Sequence, residues 1–185
     1  MILDKARRKF VSFSLAGIAL AASGALKVMP ASARQTIGHE ISLKNAHTGE
    51  RYKGVYRIGS YYVPGAFRKI NRLMRDHRTG GIIPIDPKLI DTLSRIQRDC
   101  RCGDAIQILS GYRSAKTNNM LRSKSSAVAK KSYHMKGQAA DIQVPGSSTA
   151  KVRNTARALR VGGVGYYPRS GFVHVDTGDV RSWSS

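Results

Sequence analysis

Hydrophobic residues recur at helical spacing in three segments of the chain. The first segment follows Pro64, which suits the first turn of a helix, and has His77 near its C-terminal end. The second follows Asp86 and Pro87, which suit a helix cap and the turn after it. We therefore expect three helices that each bury one face, over residues 64–78, 86–99 and 148–160.

Other segments have the composition or the alternation of strands. Residues 37–63 predict a β-hairpin with its turn at His47–Thr48–Gly49. Residues 105–109 form a short apolar strand, and residues 138–144 and 172–176 alternate between two faces. Together with the three helices, these strands predict an α+β fold in which the helices pack on a small antiparallel sheet.

The last two strands carry side chains that could share a metal ion. Asp141 lies on one face of the first strand, and His174 and Asp176 share one face of the second. His134 precedes Asp141 by seven residues, and in a straight strand the two would be about 23 Å apart. Gly137 tolerates the positive φ of a tight turn, which would bring His134 back. Two imidazoles and a carboxylate suit zinc, with one position left for water.

The residues around these side chains resemble the motifs of a known superfamily. The pattern S-x-H-x-x-G-x-A-x-D, which starts at Ser132, is similar to the first metal motif of the zinc D-Ala-D-Ala peptidases, which share the Hedgehog-type fold. The segment Phe-Val-His-Val-Asp-Thr-Gly from Phe172 resembles the branch that contains periplasmic murein endopeptidases. Ser-Gly-Tyr-Arg-Ser from Ser110, followed by Thr117-Asn118, resembles a further segment of that branch.

The resemblance implies a metal site in a groove on the sheet and a zinc metallopeptidase that acts on peptidoglycan. The bonds would be peptide cross-links between D-Ala and meso-diaminopimelate, or between two diaminopimelates, so the enzyme would be a D,D- or an L,D-endopeptidase. Arg113 would bind a substrate carboxylate or stabilise the oxyanion, as a guanidinium can. The metal ligands would be His134, Asp141 and His174, and the substrate-binding residues Arg113, Ser110, Tyr112 and Asn118.

The chain departs from the superfamily at one position. Many relatives carry a general-base Glu three residues before the second metal His, and here that position is Gly171. Asp176 is our candidate for the base, and Asp179 is a weaker alternative. Asp176 could instead orient His134 or His174, as carboxylates beside metal-bound histidines commonly do. The missing Glu also supports a second hypothesis, in which the protein is a cell-wall-binding module that keeps the metal without turnover.

The net charge of +21 favours an anionic partner. Nucleic acid is one such partner, but no helix-turn-helix, zinc-finger or RNA-binding motif is visible, so we expect no specific nucleic-acid binding. An anionic cell envelope, or a merely soluble basic surface, would account for the charge as well. The partner that the resemblance implies is the peptide part of peptidoglycan.

Residues 1–33 have the pattern of a cleavable export signal. A basic start is followed by an uncharged apolar run of about 16 residues, too short for a membrane span, and by Ala31-Ser32-Ala33. Arg7-Arg8 resembles a twin-arginine signal, although adjacent arginines also occur in general secretory signals. Cleavage would lower the net charge to +17 and leave residues 34–185 as one periplasmic domain, without a membrane span and expected to be a monomer.

Two cysteines and three further side chains complete the set of candidates. Cys100 and Cys102 could form a strained disulfide or remain thiols. His39 and His47 have no neighbouring residues that complete a ligand set, so we expect them at the surface. Trp183 is expected to pack against the domain.

Overall fold

The computed structural model describes residues 38–125 and 128–185 of the chain. The predicted export signal of residues 1–33 lies outside these described residues. These described residues belong to one compact unit. Within the described ranges, no helix has both the length and the apolar composition that a membrane crossing requires.

Four helices and eight strands make up the described residues. The helices are α1 (Pro64–Leu73), α2 (Pro87–Asp99), α3 (Ala115–Arg122) and α4 (Thr149–Leu159), with a 3₁₀ turn at Tyr133–Lys136. The strands are β1 (Gly38–Asn45), β2 (Arg51–Ile58), β3 (Tyr61–Tyr62), β4 (Ile106–Ser110), β5 (Ala139–Gln143), β6 (Gly163–Tyr167), β7 (Phe172–Asp176) and β8 (Arg181–Ser184). The predicted α+β class is confirmed, and each of the three predicted helical segments contains a helix, although the first is shorter than predicted.

The strands form one mixed sheet, in the order β3-β2-β1-β4-β5-β7-β6-β8. The prediction of a small antiparallel sheet was wrong, because β1 pairs with β4 and β6 pairs with β8 in parallel. The β1–β4 pair follows from the chain path, since α1 and α2 lie between β2 and β4 and return the chain in the direction of β1. The central β4-β5-β7-β6 part is antiparallel, as expected.

One core lies between the helices and one face of the sheet. Helices α1, α2 and α4 contribute apolar side chains such as Ile70, Leu93 and Val152. Strands β5 and β7 contribute alternate residues, among them Ile142 and Val173. The intervening residues of these two strands therefore point away from that core, and they include the candidate metal ligands.

Helix α1 ends at Leu73 and not near residue 78, which corrects the prediction. The carboxylate of Asp76 accepts hydrogen bonds from the backbone N–H groups of Arg78 and Thr79, at 2.9 and 3.4 Å. A side chain that bonds its own backbone in this way competes with the helix and favours a turn. His77 therefore lies in the turn, where its ring stacks on His47 with 3.8 Å between centroids.

The two cysteines are free thiols with different neighbours. Cys100 is buried, and its Sγ lies 3.6 Å from Thr155 Oγ1. Cys102 is half-buried, and its Sγ lies 3.1 Å from the carbonyl oxygen of Asp104. Of the two sequence alternatives, the structure has the pair of thiols.

Candidate metal centre

Strands β5 and β7 bring two of the three candidate ligands together. The strands are adjacent and antiparallel, and Asp141 is directly opposite His174 in their register. His134 reaches the same place from the 3₁₀ turn before β5. Gly137 ends that turn at a φ of +68°, and a Cβ at this position would collide with the backbone of Pro84. The predicted role of Gly137, to fold the chain back between the two ligands, is confirmed.

Three ligand atoms form a nearly regular triangle. His134 Nε2 lies 3.2 Å from Asp141 Oδ1 and 3.2 Å from His174 Nδ1, and the last two atoms are 2.9 Å apart. A tetrahedral zinc ion with ordinary bond lengths holds neighbouring ligand atoms about 3.3 Å apart. These three residues are the one group of His, Cys, Asp or Glu in the described chain that could hold a metal ion.

Each candidate ligand also makes a hydrogen bond through an atom that is not part of the triangle. His134 Nδ1 donates to the carbonyl oxygen of Gly111 at 2.7 Å, and His174 Nε2 donates to Asp176 Oδ2 at 3.0 Å. These bonds fix the tautomers in which His134 Nε2 and His174 Nδ1 carry lone pairs. Arg113 Nη2 donates to Asp141 Oδ2 at 2.8 Å, so Asp141 Oδ1 remains for the metal. Such outer contacts are typical of metal sites in proteins.

Burial and charge act together on these groups. His134 is 1% exposed, and Asp141 and His174 are each 9% exposed. Burial lowers the pKa of His134, although the charge of Asp141 opposes this effect. Burial would raise the pKa of Asp141, but its close contacts with His134 and His174 hold it well below its usual range. A neutral imidazole and an ionised carboxylate are the forms that bind metal.

His174 is affected in the opposite direction from His134. Burial alone would lower the pKa of His174, but the two carboxylates beside it, of Asp141 and Asp176, raise it overall. Burial would likewise raise the pKa of Asp176, but hydrogen bonds from His174 and Arg181 lower it. His174 thus has a carboxylate on each side, that of Asp141 and that of Asp176.

Asp176 lies behind His174 and does not line the cavity. The residue is 2% exposed, and its carboxylate also accepts from the backbone N–H groups of Gly163 and Gly178 and from Arg181. With all these partners, the carboxylate has no access to a substrate. Of the two roles inferred from sequence, this placement favours the orientation of His174 over proton abstraction.

Gly171 precedes β7 in a turn, at a φ of +70°. It lies three residues from His174, which corresponds to about 10 Å along a strand. The backbone oxygen of Gly171 accepts a hydrogen bond from Gln143 Nε2 at 3.0 Å, and the residue lines a small separate pocket with Gln143. A side chain at this position would therefore not reach the candidate ligands easily.

A cavity of about 500 Å³ opens over the three candidate ligands. Its wall includes a basic group and an aromatic group. The basic residues are Arg78, Arg113, Lys131 and Arg181. The aromatic residues are Tyr133, Tyr167, Phe172 and Trp183.

Four residues were expected to bind substrate, and the structure divides them into two pairs. Ser110 and Arg113 line the cavity, and Ser110 Oγ accepts a hydrogen bond from Arg113 Nε at 2.9 Å. Tyr112 packs against the core, and Asn118 is 0% exposed with its Nδ2 bonded to the carbonyl oxygen of Ala129. Tyr112 is half-buried, Asn118 is buried on α3, and neither side chain lines the cavity, so their role in substrate binding stays a prediction.

Sequence reasoning missed Arg78 and most of the aromatic wall. Tyr167 and Phe172 stack with 4.4 Å between ring centroids, and Trp183 Nε1 donates to the Tyr167 hydroxyl at 3.0 Å. Trp183 also packs on His174, at 5.3 Å between centroids, which confirms its predicted packing role. Arg78 was assigned to a helix end, although the Thr-Gly-Gly that follows it is a turn signal.

Comparisons with known proteins identify relatives over nearly the whole chain. Residues 32–183 match the family model described as "Peptidoglycan L,D-endopeptidase MepK". A curated protein of that name from Escherichia coli K12 is 44% identical over 184 residues, which cover 97% of this chain and 98% of the relative. The "Probable peptidoglycan L,D-endopeptidase MepK" of Haemophilus influenzae is 41% identical over 186 residues, which cover 98% and 97%. No solved structure matches the chain.

Proposed function

The chain belongs to the peptidoglycan L,D-endopeptidase family, and from this membership and the geometry of the site we propose that it is a metal-dependent hydrolase of peptidoglycan cross-links. The scissile bonds would include those between D-Ala and meso-diaminopimelate and those between two diaminopimelates. The observation that carries the proposal is the triangle of His134 Nε2, Asp141 Oδ1 and His174 Nδ1, whose sides measure 2.9 to 3.2 Å.

The donor set supports zinc as the metal. Two imidazole nitrogens and one carboxylate oxygen, with a cavity on the open side, are a common ligand set of catalytic zinc. A bound zinc ion would polarise the amide carbonyl of the substrate and make water nucleophilic at neutral pH. Metal analysis of the purified protein tests this identity directly.

The protein groups around the ligands would each have a separate task. The carbonyl oxygen of Gly111 and the carboxylate of Asp176 orient the two imidazoles. Arg113 offsets the charge of Asp141, and its Nη1 has no protein partner among the described residues. That free N–H group can donate to the oxygen on which negative charge develops during hydrolysis.

Among the described residues, the cavity wall offers no separate acidic residue or histidine as a proton acceptor. Apart from the three candidate ligands, no Asp, Glu or His side chain of residues 38–125 and 128–185 lines the cavity. We assign Asp176 to the orientation of His174 and not to proton transfer, because its oxygens are bonded to His174, Arg181 and backbone N–H groups.

The absence of a Glu at position 171 does not favour a binding module without turnover. Gly171 lies in a left-handed turn, and its neighbour is Gln143 rather than the cavity. A Glu at position 171 would therefore not lie in the cavity, so its absence removes no catalytic group from the site. An endopeptidase remains the function that the site supports best.

The test is the conversion of cross-linked muropeptide dimers to monomers by the purified, zinc-loaded protein. We expect conversion by the wild type, none after chelation of the metal, and none by His134→Ala. His39→Ala is the matched control, since His39 lies on β1 outside the cavity, and it should retain full activity. No conversion by the zinc-loaded wild type, or undiminished conversion by His134→Ala, would refute the proposal.

We also propose that residues 1–33 direct export, by the twin-arginine route, and that the remaining domain acts in the periplasm as a monomer. The Arg7-Arg8 pair and the Ala31-Ser32-Ala33 site support the signal. N-terminal sequencing of the protein from a periplasmic fraction, with and without a functional twin-arginine translocase, tests the route and the cleavage site. Sedimentation of the same material tests the monomer.

A further inference from the structure

The cavity has a large excess of positive charge. Four basic side chains line it, and Asp141 is the only Asp or Glu side chain among the described residues of its wall. A divalent metal ion would add two further positive charges. A substrate with free carboxylates is therefore favoured over a neutral peptide.

Two of the four basic residues already have anionic partners. Arg113 donates to Asp141 Oδ2 and to Ser110 Oγ, at 2.8 and 2.9 Å. Arg181 makes two hydrogen bonds to the carboxylate of Asp176, at 2.7 and 3.1 Å. Neither arginine can present a full two-pronged guanidinium to a substrate without giving up these bonds.

Arg78 and Lys131, in contrast, are not paired with an anionic group of the described residues. Neither side chain has an ion-pair or hydrogen-bond partner within residues 38–125 and 128–185. Both are exposed at the cavity. A guanidinium matches a carboxylate with two parallel hydrogen bonds, whereas an ammonium acts as a point charge, so Arg78 is the better candidate for a specific contact.

The backbone of Arg78 is fixed by the carboxylate that also fixes the neighbour of Arg113. Asp76 Oδ1 accepts from the N–H of Arg78 at 2.9 Å. Asp76 Oδ2 accepts from the N–H and the hydroxyl of Ser114, at 2.9 and 2.6 Å. Asp76 is 1% exposed, so one buried group holds the main chain beside both cavity arginines. Only the side chain of Arg78 then has to be ordered when a ligand binds.

We propose that Arg78 binds a free carboxylate of the substrate next to the scissile amide. Diaminopimelate carries a carboxylate on each of its two amine-bearing carbons. A cross-link through one of these amines therefore leaves a carboxylate adjacent to the bond that is cut. This assignment rests on the proposed function, and it names the group by which the site distinguishes its substrate from other peptides.

The experiment compares two substrates and three proteins. The substrates are a cross-linked muropeptide dimer and the same dimer with the diaminopimelate carboxylate beside the scissile amide converted to an amide. The proteins are the wild type, Arg78→Gln and the matched control Arg95→Gln, which changes an exposed arginine on α2 outside the cavity. Thermal unfolding of all three should coincide, because neither side chain has a partner in the described fold.

We expect Arg78→Gln to raise KM for the free-carboxylate dimer by about 10- to 100-fold, with kcat changed less than about threefold. Amidation should raise KM by a similar factor for the wild type and for Arg95→Gln, with no further effect in Arg78→Gln. An unchanged KM for the free carboxylate in Arg78→Gln would overturn the assignment. So would an equal loss in Arg78→Gln on both substrates relative to the wild type.

A binding measurement separates this assignment from the proposed function. The two dimers are titrated into wild type and Arg78→Gln with the metal removed, so that no turnover occurs. Preference for the free carboxylate in the wild type, and its loss in Arg78→Gln, would support the assignment even if the loaded enzyme cleaved neither dimer. Equal binding of both dimers by the wild type would overturn it, whatever the activity.

Discussion

Replacement of Asp76 by Asn should destabilise the protein strongly, although Asp76 is distant in sequence from every candidate ligand. The carboxylate accepts four hydrogen bonds, from the backbone of Arg78, Thr79 and Ser114 and from the Ser114 hydroxyl. The amide nitrogen of Asn cannot accept, so the N–H of Ser114 would be left without its partner. One buried, unpaired N–H and the loss of charge on the remaining bonds together cost about 3 kcal/mol.

The pH dependence of this effect has a defined sign. Burial would raise the pKa of Asp76, but hydrogen bonds from Ser114 and Arg78 hold it well below its ordinary value. The stability that the carboxylate contributes is therefore complete above the unfolded pKa of about 4 and decreases as the pH falls towards the folded pKa. The difference between wild type and Asp76→Asn should be full at pH 7 and smaller by about 1 kcal/mol at pH 3.

Denaturant unfolding at the two pH values measures both quantities. Asp91→Asn is the matched control, since Asp91 accepts from the hydroxyls of Tyr56 and Tyr62 but lies outside the cavity. We expect both variants to lose stability, and only Asp76→Asn to lose kcat/KM, by about 10- to 100-fold, because Ser114 follows Arg113 directly. A stability loss below 0.5 kcal/mol in Asp76→Asn, or an equal loss of kcat/KM in Asp91→Asn, would refute this reasoning.

Three further outcomes are expected. Asp176→Asn should weaken metal binding about 10- to 100-fold, measured by competition with a chromogenic chelator, because His174 would lose its charged partner; unchanged affinity would contradict the orienting role. Gly171→Glu should not raise muropeptide hydrolysis and should destabilise the fold by about 1 kcal/mol, because position 171 has a φ of +70°; a gain in kcat would show that the position does reach the site. Zinc at 1,000 times its Kd should stabilise the wild type by about 4 kcal/mol, and the same zinc should leave the melting temperature of His134→Ala nearly unchanged.

The candidate site was more predictable from sequence than the sheet around it. Alternation along a short strand is a local property. It assigned Asp141 to one face of β5 and His174 to one face of β7, and in the sheet these are the same face. Gly137 likewise marked the turn that returns His134. The parallel β1–β4 pairing depends instead on where two helices carry the chain, which no local pattern encodes.

Three side chains of the predicted site take positions that local sequence patterns do not encode. Alternation put Asp176 on the face of His174, but it could not show that Arg181 of β8 and the backbone of Gly163 enclose the carboxylate. Tyr112 and Asn118 were selected by the resemblance of their segment to a known family, and in the fold Tyr112 packs against the core while Asn118 is buried on α3. In each case a contact from a distant segment decided which way a side chain faces.

The partner of His134 is a main-chain atom, and this affects how the site can be studied. No change of side chain can remove the carbonyl of Gly111, so alanine scanning would find no chemical group there to delete. A methyl group at position 111 would instead press on the backbone of Met74 and displace the carbonyl. A mutational survey would therefore record Gly111 as a position that accepts only the smallest residue. It would not show that the Gly111 carbonyl oxygen orients the His134 imidazole by an electrostatic interaction.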